Sequence, residues 1–135
     1  MFKSEAEFRR SLCSALDKNG WFTQKIEAEG MNVGIPDMYV GKNWLQMFFE
    51  LKLEKTPAPK PGQDLLVHWR PGQQAWAIKY YKRVRKCVWT VIQYNNAIGL
   101  VRNGSSLYKD NIVPYTHVQW FRSIQDLIDS MEALQ

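Results

Sequence analysis

Apolar residues first recur at helical spacing, at Phe8, Leu12, Ala15 and Leu16, which is the buried stripe of an amphipathic helix. Ser4 followed by Glu7 forms a capping box ahead of that stripe, and Asn19-Gly20 supplies a stop, so the pattern predicts a helix over about residues 4–18. The period then shortens to two. Trp21 to Glu27 has strand character, residues 29–32 connect onward, and Gly34, Ile35, Pro36 and Asp37 lead into Met38, Tyr39 and Val40. A turn at Gly41, Lys42 and Asn43 predicts a hairpin into the apolar run Leu45 to Leu53. Alternation along that run puts Gln46, Phe48, Glu50 and Lys52 on one face and Leu45, Met47, Phe49, Leu51 and Leu53 on the other.

Beyond Lys52, prolines at 57, 59 and 61 forbid a regular ladder and predict an extended, exposed loop. Pro71 suits a first helical position, and Gln73, Trp76, Tyr80 and Val84 share one face of the second helix that follows. Cys87 to Tyr94 reads as a strong strand, Ala97 to Arg102 as another, and Asn103-Gly104 as a hairpin turn into a strand over 106–113. Ser123 and Asp126 cap a last helix carrying Ile124, Leu127, Ile128, Met131 and Leu134. Strands interleaved with helices predict an α/β fold with a mixed central sheet of about four to five strands, flanked by helices.

A length of 135 residues bounds the chain to one domain, 1–135, and a hydrophobic content of 45% excludes a disordered chain. The apolar stretches are too short and too interrupted for a signal peptide or a membrane span, so a cytoplasmic protein is expected. Cys13 and Cys87 make neither a disulfide framework nor a metal-binding spacing, which predicts two reduced core thiols. The formal charge of +5 favours an anionic polymer as partner, and the excess is local. Between Lys79 and Lys86 there are five positive charges, no acid and two tyrosines, a pattern suited to phosphate backbones.

An acid and a base on one face of an apolar strand are costly unless they are paired or bind an ion, so Glu50 and Lys52 read as functional. With Pro36-Asp37 upstream, Glu50-Leu51-Lys52 and a glutamine on the next helix, the chain resembles the PD-(D/E)XK nuclease superfamily. Within it, the order Gly34-Ile-Pro-Asp37, Phe49-Glu-Leu-Lys52 and Arg70-Pro-Gly-Gln73 is similar to small, stand-alone VRR-NUC domains of viral or bacterial type. The resemblance covers about residues 4–94 and leaves 97–135 without an assigned motif. It implies a restriction-endonuclease-like core of the Holliday-junction-resolvase kind. It also implies a Mg²⁺ ion held by Asp37, Glu50 and the Leu51 backbone carbonyl, with Lys52 orienting or activating water and supporting the phosphate. Hard carboxylate oxygens suit that ion, and Mn²⁺ is expected to substitute.

The resemblance further implies an acid in the first helix. Glu5 continues the stripe of Phe8, Leu12 and Leu16, whereas Glu7 is explained as the capping partner of Ser4, so Glu5 is the preferred fourth ligand. Gln73 is preferred to Gln74 as the glutamine beside the site because it shares a helical face with Trp76 and Tyr80. Lys55, Lys60, Arg70, Lys79, Lys82, Arg83 and Lys86 are the candidate DNA contacts. His68 and His117 lie 49 residues apart with no Cys or His partner, which argues against zinc, although His68 could touch a phosphate. Neither Trp44 nor Trp69 can be assigned to base stacking from sequence.

No sequence-reading module is evident. The expected activity is therefore structure-selective cleavage of branched DNA such as four-way junctions, and the resemblance implies that it leaves a 5′-phosphate and 3′-hydroxyl. A homodimer is implied, with the last helix or the 97–113 hairpin as interface. The alternatives are a sequence-specific restriction-type enzyme and a nuclease-like domain that binds nucleic acid without cutting it.

Overall fold

In the computed structural model, which describes residues 2–26, 34–105 and 107–133, Ser4 has extended backbone and its hydroxyl accepts the Glu7 amide, starting helix α1 (Glu5–Lys18). The Glu7 carboxylate accepts from the Lys3 amide at 3.2 Å, one residue upstream of the usual box partner. Strands β1 (Phe22–Lys25), β2 (Met38–Lys42) and β3 (Leu45–Leu53) follow as an antiparallel meander. Gly41 and Lys42 stay paired, so the hairpin turn is the two residues Asn43-Trp44, with Asn43 in the left-handed region at φ 53°. After the two-residue β4 (Leu65–Leu66) come helix α2 (Gln73–Val84), strands β5 (Val88–Gln93) and β6 (Ile98–Asn103), the two-residue β7 (Ile112–Val113), β8 (Val118–Phe121) and helix α3 (Ile124–Glu132).

The main sheet has the order β1-β2-β3-β5-β6-β8, six strands rather than four to five. Only β3 and β5 run parallel, because α2 carries the chain across the sheet between them. Of the expected strand over 106–113, only Ile112–Val113 is a strand among the described residues, and it does not pair with β6. Instead Gly104, at φ 127°, sits under α2, where an added Cβ would lie 2.6 Å from the Ala77 carbonyl oxygen. The chain is thereby carried away from β6, a single helical turn at Lys109–Asn111 follows, and β7 pairs with β4 in a separate two-stranded sheet. The partner of β6 is the later strand β8.

Alternation divides the core into two layers. Met38, Val40, Phe49, Leu51, Val91 and Leu100 face α1 and α3, where Phe8, Leu12, Leu16, Leu127, Ile128 and Met131 are almost fully buried. The apolar face of α3 is thus consumed inside the molecule and is not an exposed dimer surface, and the 97–113 segment is not a hairpin. Residue 134 of the expected stripe, like the 29–32 connection, lies outside the described residues. Lys42 ties this layer together, donating to Glu132 at 2.9 Å and to the Asn19 carbonyl at 2.8 Å. On the other face, Ile92, Tyr94, Val101 and Val118 pack against Leu65, Val67, Trp69 and Val113. α2 covers the rest of that face, burying Gln73 and Ala77 but leaving Val84 exposed, because the helix ends there with Arg85 at φ 62°. The two cysteines are free and half-buried rather than deep in the core. Among the described residues no helix is long and apolar enough to cross a membrane.

Candidate active site

The antiparallel register that pairs Met38 with Phe49 brings Asp37, at the mouth of β2, opposite Glu50. Asp37 Oδ2 accepts the Leu51 amide at 2.7 Å, so the carboxylate is tied to the backbone of β3. Glu50 and Lys52 follow the alternation on the α2 side of the sheet and are only 3% and 7% exposed. Gln73, at the first residue of α2, is equally buried and joins them. Its Nε2 donates to Glu50 Oε1 at 2.8 Å, and its Oε1 accepts from Lys52 Nζ at 3.0 Å and from the Arg70 amide at 2.7 Å. One amide side chain thus offers a donor to the acid and an acceptor to the base, which satisfies both in a dry setting.

Three local features put Gln73 there. Gly72 caps α2 in the left-handed region at φ 93°. Gly34, at φ 97°, lies against it so closely that a Cβ would be 2.3 Å from the Gly72 carbonyl oxygen. The two glycine-bearing motifs are therefore packed on one another, backbone to backbone. Next along α2, the edges of Trp76 and Tyr80 meet the Phe48 ring, with centroids 5.6 and 5.3 Å away, which seats the helix on β3 two residues before Glu50. Ahead of the helix, Trp69 is buried, donates to Thr90 Oγ1 at 3.0 Å and stacks on Tyr108. Trp69 and Thr90 fix the turn that presents the Arg70 amide. Sequence reading missed this pair, since only the register Glu50 to Thr90 shows that they share a face.

Burial, reinforced by the facing Asp37 charge and a hydrogen bond with its carboxyl, pushes the Glu50 carboxyl up to about 9. Lys52 and Arg70 oppose that rise without cancelling it. At neutral pH the metal-free pair therefore retains a proton.

The other sequence-predicted residues are placed differently. Glu5 is exposed at the start of α1, and among the described residues no three His, Cys, Asp or Glu side chains come together as a metal cluster. Glu5 thus does not join Asp37 and Glu50, because the first turn of α1 lies at the protein surface. Gln74 points elsewhere, bonding the Tyr108 backbone and Asn111. Lys55, Lys60, Lys79, Lys82, Arg83 and Lys86 are all exposed. The 54–64 loop that carries the first two is tethered through the Ala58 amide to Asn96 Oδ1. His68 faces Glu54 at 3.1 Å and His117 faces the Tyr108 hydroxyl at 3.3 Å.

The fold is α/β, with a mixed central sheet flanked by helices, of the restriction-endonuclease-like kind. The chain matches no protein-family model and no curated protein sequence. Among solved structures it is similar to Hjc of Archaeoglobus fulgidus, a Holliday junction resolvase from an archaeal hyperthermophile. The TM-score is 0.54 and the identity 15%, over 72% of this chain and 75% of that one. At that identity the likeness is one of fold.

Proposed function

We propose that this chain is a metal-dependent endonuclease of the PD-(D/E)XK type that cleaves phosphodiester bonds in branched DNA, four-way junctions in particular. The observation that carries the reading is the convergence of Asp37, Glu50, Lys52 and Gln73 in one hydrogen-bonded cluster, on a fold shared with a junction resolvase. The VRR-NUC subtype rests on the motif order alone.

The residues fit a hard divalent cation. Two facing carboxyls, one forced to keep a proton by burial and by the other's charge, are a site that a dication would relieve by displacing that proton. Asp37, Glu50 and the Leu51 carbonyl would hold it, with Glu5 outside the set. When bound, Mg²⁺ or Mn²⁺ supplies charge neutralisation at the phosphate and lowers the pKa of a bound water. The protein's own part lies in Lys52, whose ammonium is held by the Gln73 oxygen and would orient the attacking water and support the phosphate. Arg70, close enough to act on Glu50, adds positive charge at the rim. Symmetric resolution of a junction requires two such sites, so the working form is proposed to be a homodimer.

The test is cleavage of a labelled four-way junction against linear duplex of matched sequence, with Mg²⁺ and with Mn²⁺, by wild type and Lys52→Ala. Cleavage preferring the junction, lost in Lys52→Ala while binding persists, is the expected result. Discrete cuts in linear duplex would mark a restriction-type enzyme, and binding without cutting under either metal would refute catalysis.

A further inference from the structure

At the opposite end of β3 from Lys52, a cavity of about 380 Å³ opens between the start of that strand and the end of α2. Its lining includes three aromatic rings, Trp44, Tyr81 and Trp89, and three cations, Arg85, Lys86 and Arg102, with no acid among the lining residues. Two of the cations are already laid against rings: the Arg102 guanidinium is 5.1 Å from the Trp89 centroid, and that of Arg85 is 5.9 Å from Tyr81. This leaves the edge N–H groups of each guanidinium available for an oxyanion, while the ring braces the plane.

Trp44 is the anomaly. It occupies the second position of a two-residue hairpin turn and is 91% exposed, more than any other large apolar side chain among the described residues. A turn needs no indole, and the core does not use it. An exposed ring beside three cations in a cavity large enough for a small ligand is a combination suited to a flat, apolar group that carries a negative charge. Lys82 and Arg83, exposed nearby on α2, continue the positive surface.

We infer that this cavity is a second nucleic-acid contact, in which an unpaired base stacks on Trp44 and the flanking phosphate is held by Arg85, Lys86 and Arg102. The inference rests on the nuclease reading for its ligand class. Trp76 and Tyr80 pack on Phe48 between Gln46 and Glu50, so α2 stands between the cavity and the cluster, and the cavity would hold a strand led away from the cleaved one, as a strand splayed at a branch point is.

The test is fluorescence anisotropy of a labelled twelve-residue oligothymidine in EDTA, with wild type, Trp44→Ala, Trp44→Phe and Arg102→Ala, and with heparin as a polyanion lacking bases. Trp44→Ala is expected to weaken oligothymidine binding about tenfold, with Trp44→Phe close to wild type and heparin binding unchanged. Arg102→Ala is expected to weaken both ligands. Unchanged oligothymidine binding in Trp44→Ala, or equal losses for heparin, would overturn the stacking role, as would a wild type that does not bind the oligonucleotide. Thermal melts of each variant check folding, and an exposed turn residue such as Trp44 should leave them unmoved. Because the assay contains no metal, the two readings fail separately. Trp44-dependent binding without any cleavage under Mg²⁺ would sink the nuclease, whereas junction cleavage with Trp44-independent binding would sink the cavity.

Discussion

Replacing Glu50 with glutamine should make the metal-free protein more stable at alkaline pH, and the size of the effect follows from the site. The Glu50 carboxyl is raised from an ordinary value of 4.5 to about 9, first by burial and then by Asp37. Between those limits the native state holds a proton that the unfolded chain has released, so native stability falls as pH rises. One retained proton corresponds to about 1.4 kcal/mol per pH unit, or about 4 kcal/mol between pH 5 and pH 8. Glu50→Gln removes the titration while keeping an oxygen for the Gln73 donor and gaining an N–H that can face Asp37. Urea unfolding in EDTA at pH 5, 6, 7 and 8 should show the wild-type midpoint falling steadily and the Glu50→Gln midpoint nearly level over the same range. Added Mg²⁺ should restore the wild type at pH 8 and do little for the variant. Parallel pH profiles for the two proteins would refute the assignment of the retained proton to this pair.

Further outcomes follow from other contacts. Gln73→Ala leaves a buried ammonium and a buried carboxyl without their shared partner; it should lose about 2–4 kcal/mol by denaturant unfolding, and cleavage should fall more than DNA binding does. Gly34→Ala forces a side chain into the Gly72 carbonyl at a positive φ, costing about 1–3 kcal/mol from the backbone alone; the cleavage rate should fall with it because α2 can no longer seat Gln73. Leu12→Ala, in the layer remote from the cluster, should cost about 2–5 kcal/mol by the same unfolding measurement. It should leave KM for a junction unchanged at temperatures where the variant is folded.

The local elements of this protein are carried by short-range chemistry that a sequence displays. Ser4 and Ser123 cap their helices, and the period-two run from Leu45 to Leu53 is a nine-residue strand with Glu50 and Lys52 on one face. Capping and alternation depend only on neighbours within a few residues, so they need no knowledge of the rest of the chain. Gln73 was legible for the same reason, as one face of one helix. What failed depended on distant partners. Gly104 looked like a hairpin turn, yet its missing Cβ serves an approach to Ala77, and β6 took a partner some twenty residues further on. Glu5 shared a helical stripe with buried leucines, but the end of that stripe runs out into solvent. By itself the sequence determined which residues could carry the chemistry, because residue type and strand period decide that locally. The tertiary structure alone decided which of them meet. The β2–β3 register sets Asp37 against Glu50, two glycine backbones in contact lock α2 so that Gln73 bridges acid and base, and a hairpin turn leaves Trp44 beside three cations at the far end of the same strand.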